Sequence, residues 1–235
     1  MPSASLQLKG AATRTGAGNP GGSLLSPAEW RDLDRRGTPR RYRTRQVLFR
    51  EGDAGGTVLA IRSGRVKVSL HTPAGRELVL AVKEPGELLG ELSALDGRRR
   101  SATAQALERV DALVVDTEQF TDFVASQPRV ALRLLRAVAT QLRDTDRDSI
   151  ERYSGDVTSR VARRLVELAE RFGEDASSGL EIALPLSHSD LAAWVGASRE
   201  STSRALGRLR AGHCVSTGHR RITISDLARL RASSV

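Results

Sequence analysis

Cysteine, lysine and aromatic residues are all scarce in this chain of 235 residues. The single cysteine, Cys214, excludes an internal disulfide and leaves too few thiolates for a Cys-ligated zinc or an iron–sulfur cluster within one chain, and it points to a reducing compartment. His71, His188, His213 and His219 have no metal-ligand spacing. No metal site is expected, and with no nucleophile-and-base set an enzyme is the least favoured class. No stretch approaches the roughly 18 apolar residues of a membrane span, and residues 1–25 hold no apolar run of signal-peptide length, so the expected location is the cytoplasm, away from the membrane. Lysine occurs only at positions 9, 67 and 83, so the net charge of +9 rests almost wholly on arginine. The planar arginine fork suits phosphate and guanine, and a polyanionic partner is the natural inference.

What is present is a change of period along the chain. Residues 1–25 are mostly Gly, Ala, Ser and Thr and read as a disordered leader. Ser26-Pro27-Ala28-Glu29 is a capping-box start for a short helix that Gly37 closes, and Arg40, Arg41, Arg43 and Arg45 read as a solvated basic run. From Gln46 to Val115 the period is two. Leu59 and Ile61, then Val66, Val68 and Leu70, then Leu78, Leu80 and Val82 alternate with polar neighbours, separated by Gly- and Pro-bearing turns. Ala102 to Leu107 and Ala112 to Val115 add further strands, and short strands at this spacing predict a sandwich or barrel over residues 26–125. A short helix around Gln119 to Ala125 leads onward.

Residues 126–155 read as one long helix, with Ser126 as cap and Pro128 in the first turn. Its apolar seam is narrow: Leu135 and Leu142 recur at seven, Val138 lies between them, and the next seam position is Thr145. A second copy of the helix is the simplest cover, which would place Thr145 at a dimer axis. The alternative is a helix lying on its own domain with Thr145 solvated.

Residues 156–235 are helical with a small β component. Asp156 caps a helix carrying Val157, Val161, Leu165, Leu168 and Phe172 on one face; Glu174 to Gly179 reads as a polar linker, and Leu180, Ile182 and Leu184 as a small strand. Ser187-His188-Ser189-Asp190 opens a helix broken at Gly196, and Ser198 caps the next, to about Arg210. Helix, short Gly-containing turn, helix is a DNA-binding arrangement. Residues 213–224 can form a hairpin wing with Thr217-Gly218-His219 at its tip, and Ser225 caps a last helix. Trp30 and Trp194 read as packing, and Cys214 as a small buried hydrophobe.

Two constellations carry chemistry. Gly90-Glu91-Leu92-Ser93 is followed by Arg98-Arg99-Arg100-Ser101-Ala102. Glycine lets backbone N–H groups approach an anion, arginine forks onto phosphate, serine adds a hydroxyl and glutamate accepts from a sugar hydroxyl, a set that suits a sugar phosphate. In the second, Ser198-Arg199-Glu200-Ser201-Thr202-Ser203-Arg204, Arg199, Glu200 and Arg204 fall within about two helical turns and can enter a groove together. There arginine pairs with guanine and glutamate accepts from cytosine N4. From Ser187 to Val235 there are eight arginines against three acidic residues.

Gly-Glu-Leu followed by Arg-Ser-Ala resembles the phosphate-binding cassette of cyclic-nucleotide-binding domains, and Leu48-Phe49-Arg50-Glu51-Gly52-Asp53 resembles the turn that opens the same roll. Gly196-Ala197-Ser198-Arg199-Glu200 with Arg204-Ala205-Leu206 resembles the recognition helix of the catabolite-regulator/FNR family of bacterial transcription factors, and Asp156-Val157-Thr158-Ser159-Arg160 resembles its hinge. The resemblance covers roughly residues 40–225. It implies an α+β fold: a cyclic-nucleotide-binding β-roll (jelly roll), a dimerisation helix and a winged helix-turn-helix. It implies cyclic AMP as effector, with Glu91 on the ribose 2′-hydroxyl, Arg100 on the cyclic phosphate, Gly90, Leu92, Ser93 and Ser101 around it, and Thr145 and Asp146 reached across the dimer. It further implies double-stranded DNA with two-fold symmetry as partner, contacted by Ser187, Ser198, Arg199, Glu200, Ser203 and Arg204, with RNA polymerase as a further partner. Two departures stand out: Asp146 follows Thr145 where the family's cyclic-AMP binders carry Ser or Asn, and Gln141 replaces a basic residue that often braces the cassette glutamate. Cyclic GMP, a cyclic dinucleotide or no ligand are the alternatives within the family, and an effector-sensing adaptor working through protein contacts is the alternative outside it.

Overall fold

A computed structural model describes residues 23–153, 155–218 and 221–234, without the side chains of 146–153. Of the expected leader, residues 1–22 lie outside this set, but its end differs from expectation. Leu25 is 1% exposed in the roll core, because Arg133 holds the Leu24 carbonyl (2.6 Å) and Trp30 Nε1 donates to Ser23 (3.2 Å). Helix α1 (Pro27–Arg36) then starts with both bonds of its capping box, Ser26 to the Glu29 N–H and Glu29 to the Ser26 N–H.

The basic run is solvated, and its first part is also a strand. Gly37–Tyr42 is strand β1, paired antiparallel to a later strand, so Arg40 and Arg41 are exposed but their backbone is laddered. Strands β2 (Val47–Phe49), β3 (Thr57–Ser63), β4 (Val66–His71), β5 (Glu77–Lys83) and β6 (Leu88–Leu89) follow, then helix α2 (Glu91–Asp96), β7 (Thr103–Ala106) and β8 (Val110–Asp116). They form two four-stranded sheets, ordered β1-β8-β3-β6 and β2-β7-β4-β5, with Tyr42, Leu59, Ile61, Val66, Ala104 and Val110 buried between them.

The alternation read into β5 is out of phase. A bulge between Val68 and Ser69 shifts the register against β5, so Val79 and Val82 are buried while Leu80 is exposed. The outer face of this sheet is also not wet. Lys67 is only 6% exposed, and Val79, Val82 and Leu107 belong to the same apolar cluster as the C-terminal domain.

Helix α3 (Thr117–Ser126) buries Phe120 and Phe123. Ser126 is its last residue and hydrogen-bonds back to Phe123, so it does not cap the next helix, α4 (Pro128–Tyr153). Val130 and Leu134 of α4 join the roll core, and Arg133 pairs with Glu29. Three other leucines of α4 are uncovered within one chain: Leu135 and Leu142 are 65% and 64% exposed and Leu132 is exposed, while Val138 is half-buried.

Asp156 caps α5 (Val157–Phe172) by accepting the Ser159 N–H (2.8 Å), and Val161, Leu165, Leu168 and Phe172 are buried. The expected linker is a hairpin: β9 (Gly173–Ala176) pairs with β10 (Gly179–Ile182), because Gly179 at φ 130° makes the tight reversal. Helices α6 (His188–Val195) and α7 (Arg199–Ala211) meet at Gly196, in the left-handed region at φ 64°. Strands β11 (Val215–Gly218) and β12 (Arg221–Ile224) form the wing against β10, its tip at His219 outside the described residues. Asp226, not Ser225, caps α8 (Leu227–Ala232), accepting from the Arg229 N–H at 2.9 Å. Cys214 and Trp194 are buried in the domain core, as read.

The two domains touch. Lys67 on β4 pairs with Glu77 (2.9 Å) and with Asp190 on α6 (2.9 Å), and Arg65 binds both Glu108 and the Ala183 carbonyl. The Lys67–Asp190 pair is desolvated, and Lys67 keeps Glu77 as a charge partner if Asp190 is removed.

Candidate functional site

The cassette is built by a strand that stops abruptly. Buried Leu88 and Leu89 lead into Gly90, which at φ 80° turns the chain into α2; Gly97, at φ 70°, closes that helix, and Asp96 accepts the Arg98 N–H (2.9 Å). The returning loop places Arg100 back beside Gly90. Arg100 is 4% exposed; Nη1 donates to the Gly90 carbonyl at 3.0 Å and Nη2 to the carbonyl and hydroxyl of Thr57. Its guanidinium lies 4.4 Å from the centroid of the Phe49 ring. Burial pulls the guanidinium below its usual range, while Glu91 and Asp53 act in the opposite sense.

The two sequence motifs of the roll are paired directly. The Gly52 N–H donates to the Arg100 carbonyl (2.9 Å) and the Arg100 N–H to the Asp53 carbonyl (2.9 Å); Asp53 in turn braces the turn by accepting the Arg50 N–H at 2.7 Å. Burial raises the Glu91 carboxyl above its ordinary range, opposed by the charges of Lys83 and Arg100 and helped by that of Glu87. Ser93 is buried, Leu92 half-buried and Ser101 exposed next to Arg100. Thus Gly90, Glu91, Leu92, Ser93, Arg100 and Ser101 share one small loop–helix–loop. Sequence reading singled out neither Thr57, which holds Arg100, nor Lys83 and Glu87, which act on Glu91; Lys83 and Glu87 lie four apart across a Pro-Gly turn, a spacing visible in the chain but generic.

Thr145 is not part of that cluster within one chain. It is exposed on α4, its hydroxyl donates to the Gln141 carbonyl (2.8 Å), and it lies about 16 Å along the helix from Leu134. The side chain of Asp146 lies outside the described residues.

In the C-terminal domain Ser187 caps α6 and shares a reciprocal box with Asp190 (3.0 and 3.1 Å). Ser198 caps α7 through the Ser201 N–H (3.1 Å). Thr202, Ala205, Leu206 and Leu209 face the core, which leaves Arg199, Glu200 and Arg204 exposed on the opposite face. Hydrogen bonding by the backbone at Glu200 and by Ser198, with the nearby charges of Arg199 and Arg204, lowers the Glu200 carboxyl, so it is ionised and acceptor-only. Arg204 leans on Ser201 (3.2 Å), and half-buried Ser203 meets His188 (3.3 Å). Arg208 donates to Thr158 (3.0 Å) at the hinge, and an open recess of about 260 Å³ lies between the start of α5 and α7, lined by Asp156, Val157, Thr158, Ser201, Arg204 and Arg208. Among the described residues no His/Cys/Asp/Glu group could hold a metal ion, and no helix is long and apolar enough to cross a membrane.

The cyclic nucleotide-binding domain family matches residues 39–127, and the Crp-like helix-turn-helix domain family matches residues 159–233. The CRP-like cAMP-activated global transcriptional regulator of Mycobacterium tuberculosis is 33% identical over 184 residues, covering 78% of this chain and 82% of that protein. The cyclic AMP receptor protein of Thermus thermophilus is 32% identical over 191 residues, covering 81% and 85%. Among solved structures, the c-di-GMP responsive global regulator CLP of Xanthomonas campestris superposes with a TM-score of 0.77 at 26% identity, covering 85% of this chain and 99% of that one. With a nucleotide-type roll and an exposed arginine-bearing helix in one chain, the protein belongs to the CRP/FNR family and is a DNA-binding transcriptional regulator with a cyclic nucleotide-binding domain.

Proposed function

We propose that the protein is a cytoplasmic homodimer whose affinity for two-fold-symmetric DNA is set by cyclic AMP bound in each roll. The observation that carries this reading is Arg100: a buried guanidinium, seated by Gly90 and Thr57 and stacked on Phe49, next to the desolvated Glu91. Buried charges of this kind are costly unless they have work to do. In the proposal Arg100 and Ser101 take the cyclic phosphate, Glu91 takes the ribose 2′-hydroxyl, and Gly90, Leu92 and Ser93 shape the wall. Thr145 and Asp146 reach the base from the partner subunit.

The exposed seam of Leu135 and Leu142 supports pairing of the α4 helices, which would bring Thr145 to the partner's roll. Nucleotide binding would then favour one geometry of the helix pair, and the Asp156 hinge would set the two α7 helices one DNA turn apart, ~34 Å. Arg199, Glu200 and Arg204 would read base edges while Ser187, Ser198 and Ser203 position the helix on the backbone. RNA polymerase is the proposed further partner.

A second reading, cyclic di-GMP as effector, is supported by the likeness to the Xanthomonas regulator and by exposed Arg98 and Arg99 beside Arg100, which offer cations for a second phosphate. Calorimetry separates the two. Cyclic AMP should give saturable heat that is lost in Arg100→Ala; heat from cyclic di-GMP alone would favour the second reading, and no heat from any cyclic nucleotide would contradict both.

A further inference from the structure

Four charged side chains link the cassette to the DNA-binding domain within one subunit. Lys83 ends β5, Glu84 and Glu87 flank the Pro85-Gly86 turn, and Arg171 lies in the last turn of α5. Glu87 is shared between the domains. Its Oε1 accepts from Lys83 Nζ at 3.2 Å, and its Oε2 accepts from Arg171 Nη2 at 3.2 Å. The same Oε2 accepts the Glu84 N–H at 2.8 Å, and Arg171 Nε donates to the Glu84 carboxylate at 3.0 Å.

The turn that carries these carboxylates is fixed on the roll. The Gly86 N–H donates to the Ile61 carbonyl (2.9 Å), and the Ile61 N–H donates to the Glu87 carbonyl (3.0 Å). One residue later β6 begins, and it runs directly into Gly90 and Glu91, so Glu87 and the cassette flank one short, hydrogen-bonded strand. On the cassette side, Lys83 and Glu87 act on the Glu91 carboxyl with opposite signs, which places that group in the field of Glu87, one of the two carboxylates that hold Arg171. The four side chains retain between 20% and 33% of their exposure, enough desolvation for their fields to reach across the turn but not enough to lock them.

An anion arriving beside Glu91 and Arg100 competes with Glu87 for Lys83, and Glu87 divides its charge anew between Lys83 and Arg171. Only such a differential interaction can couple two sites. We infer that Glu87 and Arg171 are coupling residues, through which an anionic nucleotide in the cassette acts on helix α5 of its own subunit, by a route separate from the paired α4 helices. This inference rests on the cassette binding a cyclic nucleotide.

The test uses the full-length protein, its Glu87→Gln and Arg171→Gln variants, and the double variant. Calorimetry is done with cyclic AMP, cyclic GMP and cyclic di-GMP, and whichever gives heat is the probe for DNA affinity, measured by anisotropy with and without it on a duplex the protein selects from a random pool. Coupling factors are typically 5- to 150-fold, and each single variant should move the wild-type factor at least about fivefold towards one while keeping nucleotide affinity within about threefold. The double variant should lose no more than the larger single loss, because both changes cut one link. If the wild type binds nucleotide and both variants keep the full factor, or the two losses simply add, the coupling role is wrong and the cassette reading survives. If the wild type gives no heat with any of the three nucleotides, the cassette reading falls and this inference falls with it.

Discussion

A β-carbon on Gly90 would stand 2.0 Å from Nη1 of Arg100, the nitrogen that donates to the Gly90 carbonyl. The residue is also left-handed, at φ 80°. Gly90→Ala therefore strains the backbone by about 1–2 kcal/mol and evicts the guanidinium from its seat. Nucleotide affinity measured by calorimetry should fall at least tenfold. Gly97→Ala is the control: it is left-handed at φ 70° but faces open space, so it should lower thermal stability and leave nucleotide affinity unchanged.

Thr202 stands at a fully buried position of α7, and its hydroxyl has no hydrogen-bond partner among the described residues. Thr202→Val keeps the shape and removes the unsatisfied group, which should stabilise the domain by about 1 kcal/mol. For a chain of this size that is a rise of ~2–4 °C in Tm. A drop in Tm would mean that the hydroxyl has a partner.

The Arg133 guanidinium, with Ser26, holds the Glu29 carboxyl at about 2, against an ordinary 4.5. A carboxyl lowered on folding contributes stability above its unfolded value and loses it as the pH falls through the folded one. Urea midpoints of the wild type should therefore exceed those of Glu29→Gln at pH 6, and the gap should close as the pH drops from about 4.5 towards 2. A gap independent of pH would assign the effect to the capping box rather than to the ion pair with α4.

Leu135 and Leu142 are the most exposed leucines among the described side chains of α4. If a second copy covers them, each contributes about 1.5–3 kcal/mol to association, and replacing both by Glu should convert dimer to monomer in sedimentation experiments. A dimer that survives the double substitution would place the interface elsewhere.

Local chemistry was legible in the chain; cover supplied by distant elements was not. Ser26 with Glu29, Ser187 with Asp190, and Asp156 with Ser159 act within three residues, and all form as read. Both site motifs were likewise visible, since Gly90, Arg100 and the head of α7 depend on short spacings. Lys67 and Ser69 are polar neighbours in an alternating strand, the pattern of a wet face, yet both are buried, and Asp190 of the C-terminal domain supplies Lys67 with a charge partner. Strand β1 was hidden for the opposite reason: its arginines are exposed as expected, but its strand character comes from pairing with β8, some seventy positions away by the Arg41–Asp111 register. Ser126 and Ser225 were plausible caps, yet Ser126 closes the preceding helix and the neighbouring Asp226 takes the second role.

The most direct test of nucleotide-controlled DNA reading is selection from a random duplex pool, with and without cyclic AMP, by the wild type and by Arg100→Ala. The account predicts that the wild type with cyclic AMP enriches a two-fold-symmetric sequence whose half-sites lie about one helical turn apart, and that enrichment collapses without the nucleotide or with Arg100→Ala. Equal enrichment under all four conditions, or a motif without symmetry, would contradict it.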